Sequence, residues 1–209
     1  MTRRRSPSRG SAPARRRGVL VTGFEPFGGH ATNPSEEVAR AVAGARVHAE
    51  ILPVDFVAVR PALGRLLARR WDAVLMLGLA EGASQLRLER VAINFRQQTP
   101  DNRGRLPERP EVVRGGPAAY FSTLPLEEIR KRIAATGLPV EISLSAGAYL
   151  CNAAFYLARH RLDSAGTPCG FLHLPGTPGL GDRGTPMRIE DEIRGVGIAL
   201  ETLLSTSRP

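Results

Sequence analysis

Pro139-Val-Glu-Ile-Ser-Leu-Ser-Ala-Gly-Ala-Tyr-Leu-Cys-Asn152 changes its periodicity halfway along, and that change carries the fold. From Pro139 to Ser145 apolar and polar residues alternate, the pattern of a strand running into a core. Ala146-Gly-Ala148 then makes a small-residue turn. From Tyr149 to His160 the spacing becomes helical, with Leu150, Ala153, Ala154 and Leu157 on one stripe. Cys151 is thereby set in the first turn of a helix at the carboxyl end of a strand. Unpaired N–H groups and the helix dipole favour a thiolate there, and backbone donors at the same turn could stabilise an oxyanion.

Two readings of Cys151 stand at this point. Cysteine is among the most buried residue types, so a thiol near a helix start also suits plain packing. Two further segments favour chemistry. Cys169-Gly-Phe-Leu-His173-Leu-Pro175 is a short apolar strand with His173 near its end. Leu86-Arg-Leu-Glu89-Arg-Val-Ala-Ile-Asn94 is strand-like, with a carboxylate inside an otherwise apolar run. A thiol, an imidazole and a carboxylate at such positions can supply nucleophile, base and orienting group.

Working outward, Val19-Leu-Val-Thr-Gly-Phe24 is a first strand, followed by the Gly- and Pro-rich loop Glu25 to Gly29. Asn33-Pro-Ser-Glu36 marks a helix start, with Asn33 as cap, Pro34 in the first helical position and Glu36 completing a capping box; that helix ends near Gly44. Val47 to Val54 reads as strand, and Phe56 to Arg70 as a helix interrupted near Pro61. Asp72 to Gly78 is a continuous apolar run, as in a central strand buried on both faces. A polar loop spans Gln97 to Pro117, Leu126 to Ala135 is a helix closed at Gly137, and Met187 to Leu204 is an amphipathic C-terminal helix. Strands alternating with helices predict a single α/β domain over residues 18–209. The expected architecture is a three-layer α/β/α sandwich around a central, largely parallel mixed sheet.

Length and composition agree. The 209 residues suffice for one sizeable α/β domain, and 42% apolar content supports a core. No apolar run reaches the roughly 18–20 residues needed to span a bilayer, so a soluble protein with no membrane partner is expected. The formal charge of +9 is local: residues 3 to 17 hold seven arginines and no acid, leaving +2 for the remainder. Residues 1–17, rich in Arg, Ser and Pro, are expected to be a disordered tail. Such a tail is compatible with a plain extension, non-specific nucleic-acid binding or a transit-like segment. The apolar Val19-Leu-Val21 is too short for a secretory signal, which points to the cytoplasm and reduced cysteines. The two cysteines and four histidines show no metal-ligand spacing, and no metal or cofactor is expected.

Six segments in order resemble the pyroglutamyl peptidase I (pyrrolidone-carboxylate peptidase) family of cysteine peptidases. They are Val21 to Gly29 with Asn33-Pro-Ser35, Glu89-Arg-Val-Ala-Ile-Asn94, Pro100-Asp-Asn102, Gly115-Gly-Pro-Ala-Ala-Tyr120, Ser145 to Asn152, and Gly170-Phe-Leu-His173-Leu-Pro175. The likeness runs from about Val19 to the C-terminal helix. It implies release of N-terminal pyroglutamate (5-oxoproline) from peptides by Cys151, with His173 as base and Glu89 orienting it. It also implies a substrate pocket walled by Phe24, Phe27, Tyr149 and Leu150, and a homo-oligomer, dimer or tetramer.

The departures cluster near the site. Where the family usually has Gly-Gln-Ala-Gly-Gly-Arg, this chain has Gly78-Leu-Ala-Glu-Gly-Ala83, so an amide gives way to Leu79 and a guanidinium to Ala83. The loop from Asn94 to Pro100 is one residue shorter, and a family arginine near the nucleophile has Arg96 as its substitute only if the loop is re-routed. Leu79 therefore joins the candidate substrate contacts. Two alternatives remain open: a cysteine hydrolase of the same fold with another acyl substrate, and an inactive binding homologue working through its basic tail.

Overall fold

Both faces of β1 (Val19–Phe24) are buried, and its side chains divide strictly by parity. Leu20 and Phe24 enter one hydrophobic cluster, Val19 and Val21 another. β3 (Ala73–Leu79) divides in the same way, with Val74 and Met76 opposite Ala73, Leu75 and Leu77. A period of two on strands covered from both sides requires a sheet between two helical layers. The computed structural model describes residues 17–180 and 185–206 and has this architecture. The other strands are β2 (Val47–Leu52), β4 (Leu86–Glu89), β5 (Val91–Ile93), β6 (Ala119–Phe121), β7 (Val140–Ser143) and β8 (Cys169–Leu174). The six-stranded sheet has the order β2-β1-β3-β8-β4-β7, parallel throughout except where β4 runs against β8. The expected three-layer α/β fold with a mostly parallel mixed sheet is the fold observed.

The helices are α1 (Pro34–Ala41), α2 (Val59–Leu66), α3 (Leu126–Ala134), α4 (Leu150–Leu162) and α5 (Ile189–Thr206). α2 and α4 pack on the Leu20 face, and α1, α3 and α5 on the Val19 face. Among the described residues, no helix is long and apolar enough to cross a membrane.

Several local expectations change. The run from Leu86 to Asn94 is two strands in two sheets, divided at Arg90. There the Arg90 N–H donates to Ser143 O and its carbonyl accepts from Ser122 N, so the chain leaves the main sheet to pair β5 with β6. Pro61 interrupts nothing. The helix starts only at Val59, which puts Pro61 in the first turn, where a missing N–H is harmless. Asn33 does cap α1 through Ser35 N–H, but Glu36 Oε1 accepts from Arg40 one turn on. α4 is buried on nearly every side rather than along one stripe, because the β5–β6 pair and α2 cover its outer surface. The expected basic tail lies outside the described residues but for Arg17, whose N–H donates to the Asp72 carboxylate.

Glu192 of α5 is fully buried, and among the described residues neither carboxyl oxygen has a hydrogen-bond partner. Burial first, and the nearby Glu37 second, push its pKa up to about 9. The folded state thus keeps a proton that the unfolded chain releases near its ordinary 4.5. Stability is full below that value and is lost as pH rises through about 9. Glu192→Gln is expected to flatten this decline, and urea midpoints measured across that range check it. A wild-type profile as flat as the variant's would rule the assignment out.

Candidate active site

The α/β frame positions the three candidate groups from separate elements. In the antiparallel β4–β8 pair, Arg87 lies opposite His173 and Glu89 opposite Phe171. Directly paired residues point to the same side, and so do residues two apart, so all four side chains share the face beneath α4. Leu86, Leu88, Leu172 and Leu174 take the other face. The diagonal pair closes: His173 Nδ1 lies 2.8 Å from Glu89 Oε1, with Glu89 completely buried. The carboxylate accepts, so Nδ1 donates and Nε2 is left for Cys151. Phe171 packs on the imidazole at 4.6 Å between centroids and fixes its plane.

Cys151 is the second residue of α4, brought back over the sheet by the loop after β7. Gly78 of β3 makes room for it: a Cβ there would stand 2.9 Å from Sγ and 2.7 Å from the Phe171 ring. No side chain caps α4, and an N–H at the second helical position has no partner in the helix ladder. Asn152 fixes the helix start from behind. Its amide bonds both Ile93 N and Ile93 O and also Phe95 O, tying α4 to β5.

Cys151 and His173 open into one cavity of about 920 Å³, which Phe27, Leu79, Arg87 and Tyr149 also line. Cys151 is 8% exposed, enough to be reached from that cavity. Burial opposes a charge on His173, yet the hydrogen bonds and charges of Cys151 and Glu89 outweigh it and raise its pKa to about 9. A charged imidazole beside the thiol is therefore favoured at neutral pH. The other thiol has no such setting: Cys169 is wholly buried, and burial pushes it up to about 12. Tyr149 is also pushed up to about 12 by burial, then by Asp101 and Cys151, and its neutral hydroxyl donates to Pro100 O at 2.9 Å.

Of the residues expected to contact substrate, Phe27, Leu79 and Tyr149 line the cavity, Phe27 and Tyr149 with rings 6.1 Å apart. Phe24 and Leu150, each 1% exposed, lie in the core beneath. Arg96 turns away from the cavity: its Nη2 donates to Glu111 O, and it lines a neighbouring cleft. The cation in the cavity is Arg87, which bonds Ser143 Oγ, pairs with Glu141 at 3.1 Å and lies 4.0 Å from Glu89. Its place was legible, because Leu-Arg-Leu-Glu puts Arg87 and Glu89 on one face. Glu81 at the rim pairs with His30 at 3.1 Å, a contact between distant segments that no local pattern announces.

On an α/β/α frame, a cavity-facing thiol beside a buried imidazole–carboxylate pair belongs to the class of cysteine hydrolases. The family model described as pyroglutamyl peptidase matches residues 17–206. A pyrrolidone-carboxylate peptidase of Chromobacterium violaceum is 42% identical over 200 residues, which cover 91% of this chain and 94% of that one. One from Pyrococcus furiosus is 40% identical, covering 89% and 97%. Among solved structures, a mutant pyrrolidone carboxyl peptidase from Pyrococcus furiosus superposes with a TM-score of 0.85 at 38% identity, covering 90% of this chain and 99% of that one. The enzyme from Thermococcus litoralis gives 0.85 at 34%, covering 90% and 94%. This chain belongs to the pyroglutamyl peptidase family of cysteine exopeptidases.

Proposed function

We propose that this chain removes an N-terminal pyroglutamate from peptides, with Cys151, His173 and Glu89 as its catalytic residues. The observation that carries the reading is the 2.8 Å His173–Glu89 hydrogen bond ending in the cavity that Cys151 lines. His173 takes the thiol proton, giving the imidazolium that its raised pKa favours, and the Cys151 thiolate so formed attacks the carbonyl carbon of the pyroglutamyl residue. The Cys151 N–H helps hold the oxyanion. As the tetrahedral adduct collapses, His173 protonates the departing amine and a thioester remains. Water, deprotonated by His173, hydrolyses it and restores the thiol. Glu89 keeps Nδ1 protonated throughout and stabilises the imidazolium each time it forms. The lactam ring is uncharged, and the apolar surfaces of Phe27, Leu79 and Tyr149 suit it. Hydrolysis of a fluorogenic pyroglutamyl amide, beside prolyl and alanyl amides, tests the reading; equal turnover of all three defeats it.

Leu79 on the cavity wall favours a second reading, the same chemistry on a different acyl group. An aliphatic side chain there offers a lactam no hydrogen bond, where an amide would. Leu79→Gln is expected to lower KM for the pyroglutamyl amide, with kcat little changed, by up to about 1–3 kcal/mol in binding. If Leu79→Gln leaves KM where it was, this position does not govern recognition.

A further inference from the structure

A second cavity, of about 670 Å³, lies beyond the Phe56–Tyr149 ring contact, on the far side of the loop that walls the active site. Five arginines line it: Arg60 of α2, Arg96 just before the polar loop, and Arg105, Arg109 and Arg114 within it. One carboxylate, Glu108, lines it with them. Asp55 engages Arg105 at 3.5 Å, and the Glu111 charge also reaches Arg96. Five guanidinium groups against these three carboxylates leave the balance positive.

Two of the cations are anchored by hydrogen bonds. Arg60 donates to Val112 O at 2.7 Å and Arg96 to Glu111 O at 2.6 Å, each through Nη2 alone, so other donors on both forks remain. Arg96 lies over the Phe56 ring, 5.7 Å from its centroid, and its Nε is buried with no hydrogen-bond partner. Burial, then the charges of Arg60 and Arg109, lower the Arg96 pKa, and all three guanidinium groups line the one cavity. Like charges lining one cavity repel each other, at a cost in free energy. An anion in the cavity removes that cost. The rest of the wall is apolar, with Val57 and Leu106 more than half exposed beside Phe56.

We infer that this cleft is a binding site for a small organic phosphate, its phosphoryl group held by Arg60, Arg96 and Arg109 and its apolar body laid on Phe56, Val57 and Leu106. A phosphate monoester offers nearly two charges and three acceptor oxygens, so it can engage three guanidinium forks where a lone carboxylate, with one charge and two oxygens, cannot. The cavity exceeds inorganic phosphate and falls within the range of small-molecule sites. The active-site cavity has a different lining, and nothing in the site requires the hydrolytic reading to be right.

Calorimetric titration of the full chain with phenyl phosphate, inorganic phosphate and benzyl alcohol tests the inference. Phenyl phosphate is expected to bind at least about fivefold more tightly than inorganic phosphate, and benzyl alcohol to give no heat. Arg109→Glu and Arg96→Met should each weaken phenyl phosphate by about tenfold or more, roughly one lost charge-assisted contact. Arg109 is exposed, so reversing its charge leaves the fold intact, and Arg109→Gln gives a milder version of the same loss. Unchanged affinity in Arg109→Glu would mean that the phosphate binds elsewhere, the arginines of residues 3–17 included, and overturns the site. Equal affinity for inorganic and phenyl phosphate overturns the role of the apolar wall, and no binding at millimolar phenyl phosphate overturns the whole.

Discussion

Cys151→Ala is expected to remove hydrolysis of a pyroglutamyl amide by about four orders of magnitude or more, because the group that forms the thioester is gone. The fold should survive. Cys151 sits at the start of α4 with its Sγ at the cavity, so the loss is one atom beside open space, and Asn152 still ties the helix to β5. Cys169→Ala provides the control. That thiol is sealed in the core, and its removal should cost some stability and no turnover. Alkylation separates the two in the wild type: iodoacetamide on the native protein should modify Cys151 alone, in step with loss of activity. Substantial turnover in Cys151→Ala, or inactivation tracking Cys169, would assign the chemistry to another group.

His173→Ala should cost nearly as much as loss of the thiol, and the double variant little more, since groups that act as one unit are not additive. Glu89→Gln should be milder, on the order of a hundredfold, because the imidazole remains and loses only its oriented, charged partner. The pH profile distinguishes this role from mere packing. Glu89 is among the groups that raise His173 to about 9, so its neutral replacement lowers that pKa. The imidazolium is then lost at lower pH, and the alkaline limb of kcat/KM should move downward. Profiles from about pH 5 to about pH 10 read this directly. An alkaline limb that stays in place in Glu89→Gln would mean that Glu89 holds the sheet and does not tune the imidazole.

Much of the scaffold was legible because its signals are local. The alternation from Pro139, the apolar run Asp72 to Gly78 and the Asn33-Pro34 start each depend on a few neighbouring residues, and each corresponds to an element of the structure. Errors arose where a distant partner decides the local outcome. Val91 to Ile93 has the composition to continue β4, but Ser143 and Ser122 take the backbone groups of Arg90 and send the chain into a second sheet. The surface of α4 that pattern alone leaves to solvent is covered by β5, β6 and α2.

Short stretches of the chain already carry the three-layer α/β class and the types of group available for catalysis. Period two, period 3.6 and the chemistry of a thiol, an imidazole and a carboxylate are properties of short stretches. Tertiary structure alone decided the site's geometry. The 2.8 Å contact between Glu89 and His173 joins residues 84 apart and exists because β4 runs against β8 in one register. The space for Sγ comes from Gly78 on yet another strand. Which cation enters the cavity was decided in the same way, Arg87 lining it while the loop carries Arg96 to the arginine-lined cleft beside it. Register and loop course emerge from the packing of the whole chain, and no single segment encodes them.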